Sequence, residues 1–328
     1  MFARITPQFY SGRANPSWEV EGADLSALLE RVSAAPGMAV PLDRSGHGRL
    51  GYSGVLVELG SDHLSPDLPS SFLLDASGTG RSREGASLAA DLIRSMPGSA
   101  VDASLTDDTD RFAAELRDII LEDMADVHAA AMGELLSTMG EGSVNALPEA
   151  DGAADIDRGC IVESAVYNPG FWNDNAGPYQ RSNNCYCYAA NRRINKFGYP
   201  GKAAGRPVGF PYTLANVRDA MLADGLKPHG NCLPDTEKPR FFMAMVVAEY
   251  NGVAGHNDFH FYRHSVTDTS NTNKFWSHKQ GQFPVTDCDN SNRVIRNVET
   301  CNRGKYNLFG GYFYVGKSVR IDGNPPPR

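Results

Sequence analysis

No apolar run in this 328-residue chain approaches the roughly 20 residues that cross a bilayer, so no membrane span is expected. The start, Met1-Phe2-Ala3-Arg4-Ile5-Thr6-Pro7, lacks the apolar core of a secretory signal, and the expectation is cytoplasmic residence or secretion by a leaderless route. Basic charge is short: 31 Lys and Arg against 39 Asp and Glu leave a net charge of -8, which argues against a nucleic-acid partner. Cysteine is missing from the first 159 residues, and all six (Cys160, Cys185, Cys187, Cys232, Cys288, Cys301) fall later. The even count admits disulfides, and Cys288 with Cys301 is the pair favoured in an oxidising compartment. Zinc-site spacing is lacking as well. Cys185 and Cys187 lie two apart with no second CxxC or HxxxH pair, so neither a metal nor a cofactor is expected.

What is present divides along the chain. Leu25, Leu28, Leu29 and Val32 recur at helical spacing and predict a helix over 23–33. Segments 51–59 and 71–75 read as strands, and Glu84 to Met96 as a helix closed by Pro97-Gly98. Residues 1–98 are therefore a small α+β N-terminal domain. The turn at 77–80 follows a strand and precedes a helix, the setting of phosphate loops. Its glycines 78, 80 and 85 have the wrong spacing for a dinucleotide loop, however, and Ala86 stands where a P-loop needs lysine. No chemistry is assigned there.

Residues 99–140 form a long amphipathic helix with Phe112, Leu116, Ile119, Ile120, Met124, Val127 and Ala131 on its apolar face. Asp107 or Asp108 caps it and Gly140 ends it, with His128 a passenger. Gly, Ala, Pro and Asp dominate 141–158, a linker. Residues 159–328 are a C-terminal Cys/His domain, with helices over 185–196 and 213–224, a buried strand over 241–248, and strands over 258–264, 274–278 and 311–315. The fold class is α+β, with a papain-like arrangement of helix plus antiparallel sheet.

The candidate chemistry sits in that last part. Asn183-Asn184 precede Cys185, so a capping amide and the helix dipole would favour a thiolate there. In Asp258-Phe259-His260-Phe261-Tyr262-Arg263, alternation places Asp258, His260 and Tyr262 on one face and Phe259, Phe261 and Arg263 on the other. His260 is the candidate base and His278, in Trp276-Ser277-His278-Lys279, the candidate orienting group, with Asp258, Asp287 and Asp289 open as alternatives. Gln180 is positioned five residues upstream to join the Cys185 amide in an oxyanion hole. Cys187 is a competing nucleophile, and His256 and His264 can exchange roles with His260. Each has a structural alternative: a buried apolar thiol, a satisfied core histidine, a surface glutamine.

The set Trp172-Asn173, Asn183-Asn184-Cys185-Tyr186, Pro200-Gly201, Asp258-Phe259-His260-Phe261-Tyr262-Arg263 and Trp276-Ser277-His278-Lys279-Gln280-Gly281 resembles a family that includes an insoluble shell matrix protein of molluscs and many microbial proteins. The family pattern has Tyr and Trp where this chain has Phe259 and Phe261, and Pro where it has Gln280. The likeness covers about 165–315 and implies little about activity. A looser likeness, in residue order alone, is to papain-like enzymes and cell-wall endopeptidases of the cysteine type. Two functions follow as expectations. One is a cysteine hydrolase, peptidase or amidase, acting on peptide, protein or peptidoglycan. The other is a non-catalytic structural or carbohydrate-binding module. A metal site at His256, His260 and His278 is a third reading.

Overall fold

A computed structural model describes residues 1–41, 49–60, 68–76, 82–139, 160–174, 178–268 and 273–325. It is α+β, with two main sheets, largely antiparallel and of different surroundings, and a two-stranded third. The first runs β2-β1-β4-β5-β3, built from β1 (Phe2–Pro7), β2 (Trp18–Glu21), β3 (Val40–Pro41), β4 (Val55–Leu59) and β5 (Ser71–Leu74). Three helices cover one face: α1 (Gly22–Ala34), α2 (Arg83–Arg94) and α3 (Thr109–Met139). Their apolar stripes, among them Leu28 and Val32, Leu88 and Ile93, and Phe112, Leu116 and Ile120, meet Ala3, Ile5, Val55 and Val57. The opposite face buries Leu56 and Leu73 against Phe283, far along the chain.

Local chemistry sets the helix starts. Ser82 accepts from the Gly85 N–H at α2, and Asp108 accepts from the Arg111 N–H at α3. His128 is more than a passenger, because its Nε2 lies 2.8 Å from the buried Asp75 carboxylate. The linker expected over 141–158 and the glycine turn at 77–80 fall outside the described residues.

The second sheet runs β12-β11-β10-β9-β13-β8, from β8 (Lys227–Pro228), β9 (Phe241–Ala248), β10 (Asp258–Val266), β11 (Lys274–Lys279), β12 (Val285–Thr286) and β13 (Leu308–Val315). A short β6 (Ala165–Val166) lies parallel to the end of β10, while β7 (Phe197–Gly198) pairs with β14 (Gly323–Asn324). The helices here are α4 (Pro169–Trp172), α5 (Tyr179–Ser182), α6 (Cys185–Ala189) and α7 (Leu214–Ala223). A capping box between Thr213 and Asn216 opens α7.

Every residue of β9 and β10 is buried, so the centre of this sheet has no solvated face. Met243, Met245, Val247, Phe259 and Phe261 pack under α6 and α7. Phe242, Ala244, Val246, Tyr262 and Trp276 pack under the segment reaching from Ile295 to Tyr306. A disulfide joins Cys160 to Cys232. It replaces the expected Cys288–Cys301 pair, whose thiols are free and donate to nearby oxygens on Asp287 and Val298.

Candidate functional site

Cys185 opens α6, and Asn184 caps the helix with its side-chain oxygen on the Cys187 N–H, 3.4 Å away. The helix is far shorter than the 185–196 expected. It stops at Ala189 because Asn191 turns into the left-handed region at φ 54, and the Asn183 side chain takes the N–H groups of Ile194 and Asn195. One helical turn carries little dipole, so the expected thiolate loses its main support. Cys185 is fully buried, and its Sγ–H donates to the Ser11 carbonyl at 3.4 Å. Burial, followed by the negative charge of Asp258, raises its pKa well above the usual thiol value, against the opposing backbone N–H groups of Phe261 and Tyr186.

His260 does not meet this thiol. Pairing across the sheet sets His260 against Val246 and Phe261 against Met245. Val246 belongs to the core on the Trp276 side, Met245 to the core containing Cys185. Thiol and imidazole therefore lie on opposite faces of β10, and among the described residues no hydrogen bond joins Cys185 to a histidine. The physical reason is the two-residue period of the strand. Phe259 and Phe261 supply the apolar surface that α6 needs, which turns His260 the other way.

The histidine pair itself is assembled. His260 Nε2 lies 3.0 Å from His278 Nδ1, and His278 Nε2 lies 3.0 Å from the Cys288 carbonyl. A carbonyl only accepts, so His278 carries its proton on Nε2, and its Nδ1 accepts from His260 Nε2–H. His260 Nδ1 is then a bare lone pair, buried and without a hydrogen-bond partner among the described residues. Burial, with His278 adding to it, lowers the His260 pKa well below the ordinary histidine value, so the ring is neutral.

The other candidates have different work. Gln180 is buried, and its Nε2 donates to the Gln282 carbonyl instead of standing over Cys185. Cys187 Sγ–H donates to the Lys196 carbonyl. Asp289 accepts from the N–H groups of Ser291, Arg293 and Asn302 and shapes its own loop, while Asp287 accepts from the Cys288 thiol. His264 shares the His260 face and lies beside Ser164, and His256 precedes the strand. Among the described residues no three His, Cys, Asp or Glu side chains form a metal-binding group.

Asp258 is the residue whose role differs most from expectation. It is fully buried, and among the described residues no hydrogen bond joins it to a histidine. Its carboxylate accepts from the Ser11 N–H at 2.8 Å, the Gly12 N–H at 3.3 Å and the Tyr306 hydroxyl at 2.6 Å. Asn184 Nδ2 donates to the Gly12 carbonyl at 3.3 Å. Ser11 and Gly12 thus bridge Asn184, Cys185 and Asp258 across 172 to 247 residues of sequence, separations no local pattern reports. Lys279 is a second residue missed. It is fully buried with Nζ on the carbonyls of Gln180 and Gly281, and burial lowers its pKa to about 7.

A buried Cys and His module on an α+β scaffold is the class these residues define. No family model and no solved structure matches the chain. Insoluble matrix shell protein 1 of Ruditapes philippinarum is 36% identical over 165 residues, which span 49% of this chain and 97% of that protein. The chain belongs to the family of that shell matrix protein.

Proposed function

We propose that the C-terminal half is a non-catalytic structural and binding module. The observation that most supports this reading is the separation of Cys185 and His260 by the sheet, with the thiol buried and protonated. Cysteine catalysis needs thiolate and base in one cleft. The relative's name, insoluble matrix shell protein, fits a structural role. Carbohydrate binding is the less favoured form of this reading, because Trp172 and Trp276 are buried and offer no stacking platform. The Cys160–Cys232 disulfide further favours residence in an oxidising compartment, hence export.

A cysteine hydrolase, peptidase or amidase, acting on peptide, protein or peptidoglycan, is the second reading. One observation favours it: His278 holds His260 with an open lone pair, the base-and-orienter half of a triad. Thiol labelling of the native, disulfide-intact protein separates the two. On the structural reading the half-exposed Cys288 reacts with iodoacetamide before Cys185, which lags a free thiol by roughly a hundredfold or more. Preferential labelling of Cys185 at neutral pH sinks the structural reading and supports the hydrolase.

A further inference from the structure

The grip on Ser11 and Gly12 is made almost entirely to their main chain. Both N–H groups go to the Asp258 carboxylate, the Ser11 carbonyl takes the Cys185 thiol, and the Gly12 carbonyl takes Asn184 Nδ2. Two successive residues therefore have all four backbone polar groups satisfied by side chains of the C-terminal half. Recognition of this form is indifferent to most side chains but not to all. A Cβ on Gly12 would run into the Phe259 ring and lie 2.5 Å from the Phe259 carbonyl, so the second position admits only glycine.

Flanking residues tighten the seat. The Tyr10 hydroxyl donates to the Gly255 carbonyl at 2.9 Å, and the Lys305 ammonium lies 3.7 Å from the Phe9 ring centroid and 4.5 Å from that of Tyr10. Asn184 is fixed independently by the Gly198 carbonyl at 2.9 Å, and Asp258 by Tyr306. These receptor groups are thus held by the C-terminal half itself. The shell matrix relative is matched along 97% of its length by about half of this chain, so the family includes a protein with no room for both halves.

We propose that Asp258, Cys185, Asn184 and Phe259 form a peptide-backbone site specific for a bent segment with glycine at its second position, filled in this chain by Ser11-Gly12. The ligand class is a glycine-containing peptide turn. The site takes such a turn in trans when its own segment is displaced. This inference rests on the binding-module reading above.

The test uses the full chain. Gly12→Val forces residues 11–12 out of the seat, and Gly12→Ala does so more mildly. A fluorescent peptide of residues 6–16 is titrated into wild-type and variant protein by anisotropy. The expected result is at least tenfold tighter binding to Gly12→Val than to wild type, and at least tenfold loss when the peptide itself carries Val at position 12. Binding of equal strength to both proteins, or to both peptides, overturns the site. If Gly12→Val loses its folded circular dichroism signal, Gly12→Ala decides by the same criteria. Peptide recovered from the complex is analysed by mass. Cleavage at Ser11–Gly12 would overturn the non-catalytic reading while leaving the peptide site standing. Failure to bind by a folded variant overturns the site and leaves the assignment of a structural module untouched.

Discussion

The two faces of β10 treat buried polar groups in opposite ways. On the α6 side, Arg263 is 1% exposed, and its guanidinium reaches the Ser265 hydroxyl, the Asn191 side chain and the Tyr188 hydroxyl, with its carbon centre 3.9 Å from the Tyr188 ring centroid. Ser277 closes this network, 2.7 Å from both Tyr188 and Ser265. On the other side, His260 and His278 form a short chain that ends in an open nitrogen. One face is a filled network that fixes packing. The other is a chain of oriented imidazoles with unused capacity. A cation with no carboxylate among its hydrogen-bond partners persists because each guanidinium nitrogen meets a neutral acceptor.

The sharpest way to break the comparison is on the filled face. Arg263→Ala removes the hub, orphans the Asn191 side-chain oxygen, leaves the Tyr188 hydroxyl with Ser277 alone and opens a cavity beneath Trp172. It should cost about 4 kcal/mol or more in urea unfolding. Arg263→Lys, lacking the planar fork, should recover less than half of that. Recovery to wild-type stability by Lys would show that charge alone matters.

On the open face the expected loss is smaller. His278→Leu strands His260 Nε2–H and the Cys288 carbonyl, and about 2 kcal/mol should be lost. His260→Leu removes the donor and its unpartnered nitrogen together, so it should cost less than His278→Leu. The reverse order would mean that His260 Nδ1 has a partner that holds it.

This asymmetry explains how much was legible in the sequence. Leu25, Leu28 and Val32 placed α1, and the eight apolar residues of β9 placed that strand to the residue, because burial and propensity agreed. Alternation along β10 correctly grouped His260 with Tyr262 and Phe259 with Phe261. It did not say which group met the helix, since both faces are buried and aromatic, and a two-sided core removes the polar-out signal. Strand β1 was missed because its burial comes from pairing with β2 and β4 on either side. The seat for Ser11 and Gly12 was missed for a related reason, as its partners come from the other end of the chain.

A second contrast is between buried bases and buried thiols, and pH separates them. Lys279 has a pKa lowered to about 7 by burial, so above pH 7 the native protein has released a proton that the unfolded chain keeps until near 10.5. The unfolded state then binds more protons, and stability rises with pH by up to about 1.4 kcal/mol per unit through this window. Lys305, lowered to about 7 chiefly by burial, pulls the same way. Cys185 and Cys187 act in the other direction. Their thiols stay protonated in the native state while those of the unfolded chain ionise from about 9, so stability falls beyond that point. With these four groups, urea midpoints should climb from about pH 7 and reach their maximum between about pH 9 and 10. Lys279→Met should roughly halve the slope of the rising limb, Lys305 supplying the rest, and leave the falling limb in place. A rising limb unchanged by that substitution would mean the ammonium is not the titrating group.

The smallest effect is expected at Cys185. Cys185→Ala deletes one sulfur from a packed site and one weak thiol donor on the Ser11 carbonyl, and about 1 kcal/mol should be lost. Cys185→Ser keeps a donor but sets a hydroxyl among Tyr186, Phe259 and Phe261, and a polar group in such a setting costs more than the methyl of alanine unless its hydrogen bond improves. Serine should accordingly be the less stable of the two. The order carries the argument, because a nucleophile poised in water would tolerate serine at least as well as alanine. Serine equal to or more stable than alanine in matched urea titrations would place Cys185 in a solvated cleft, with thiol and histidines on one side of the sheet.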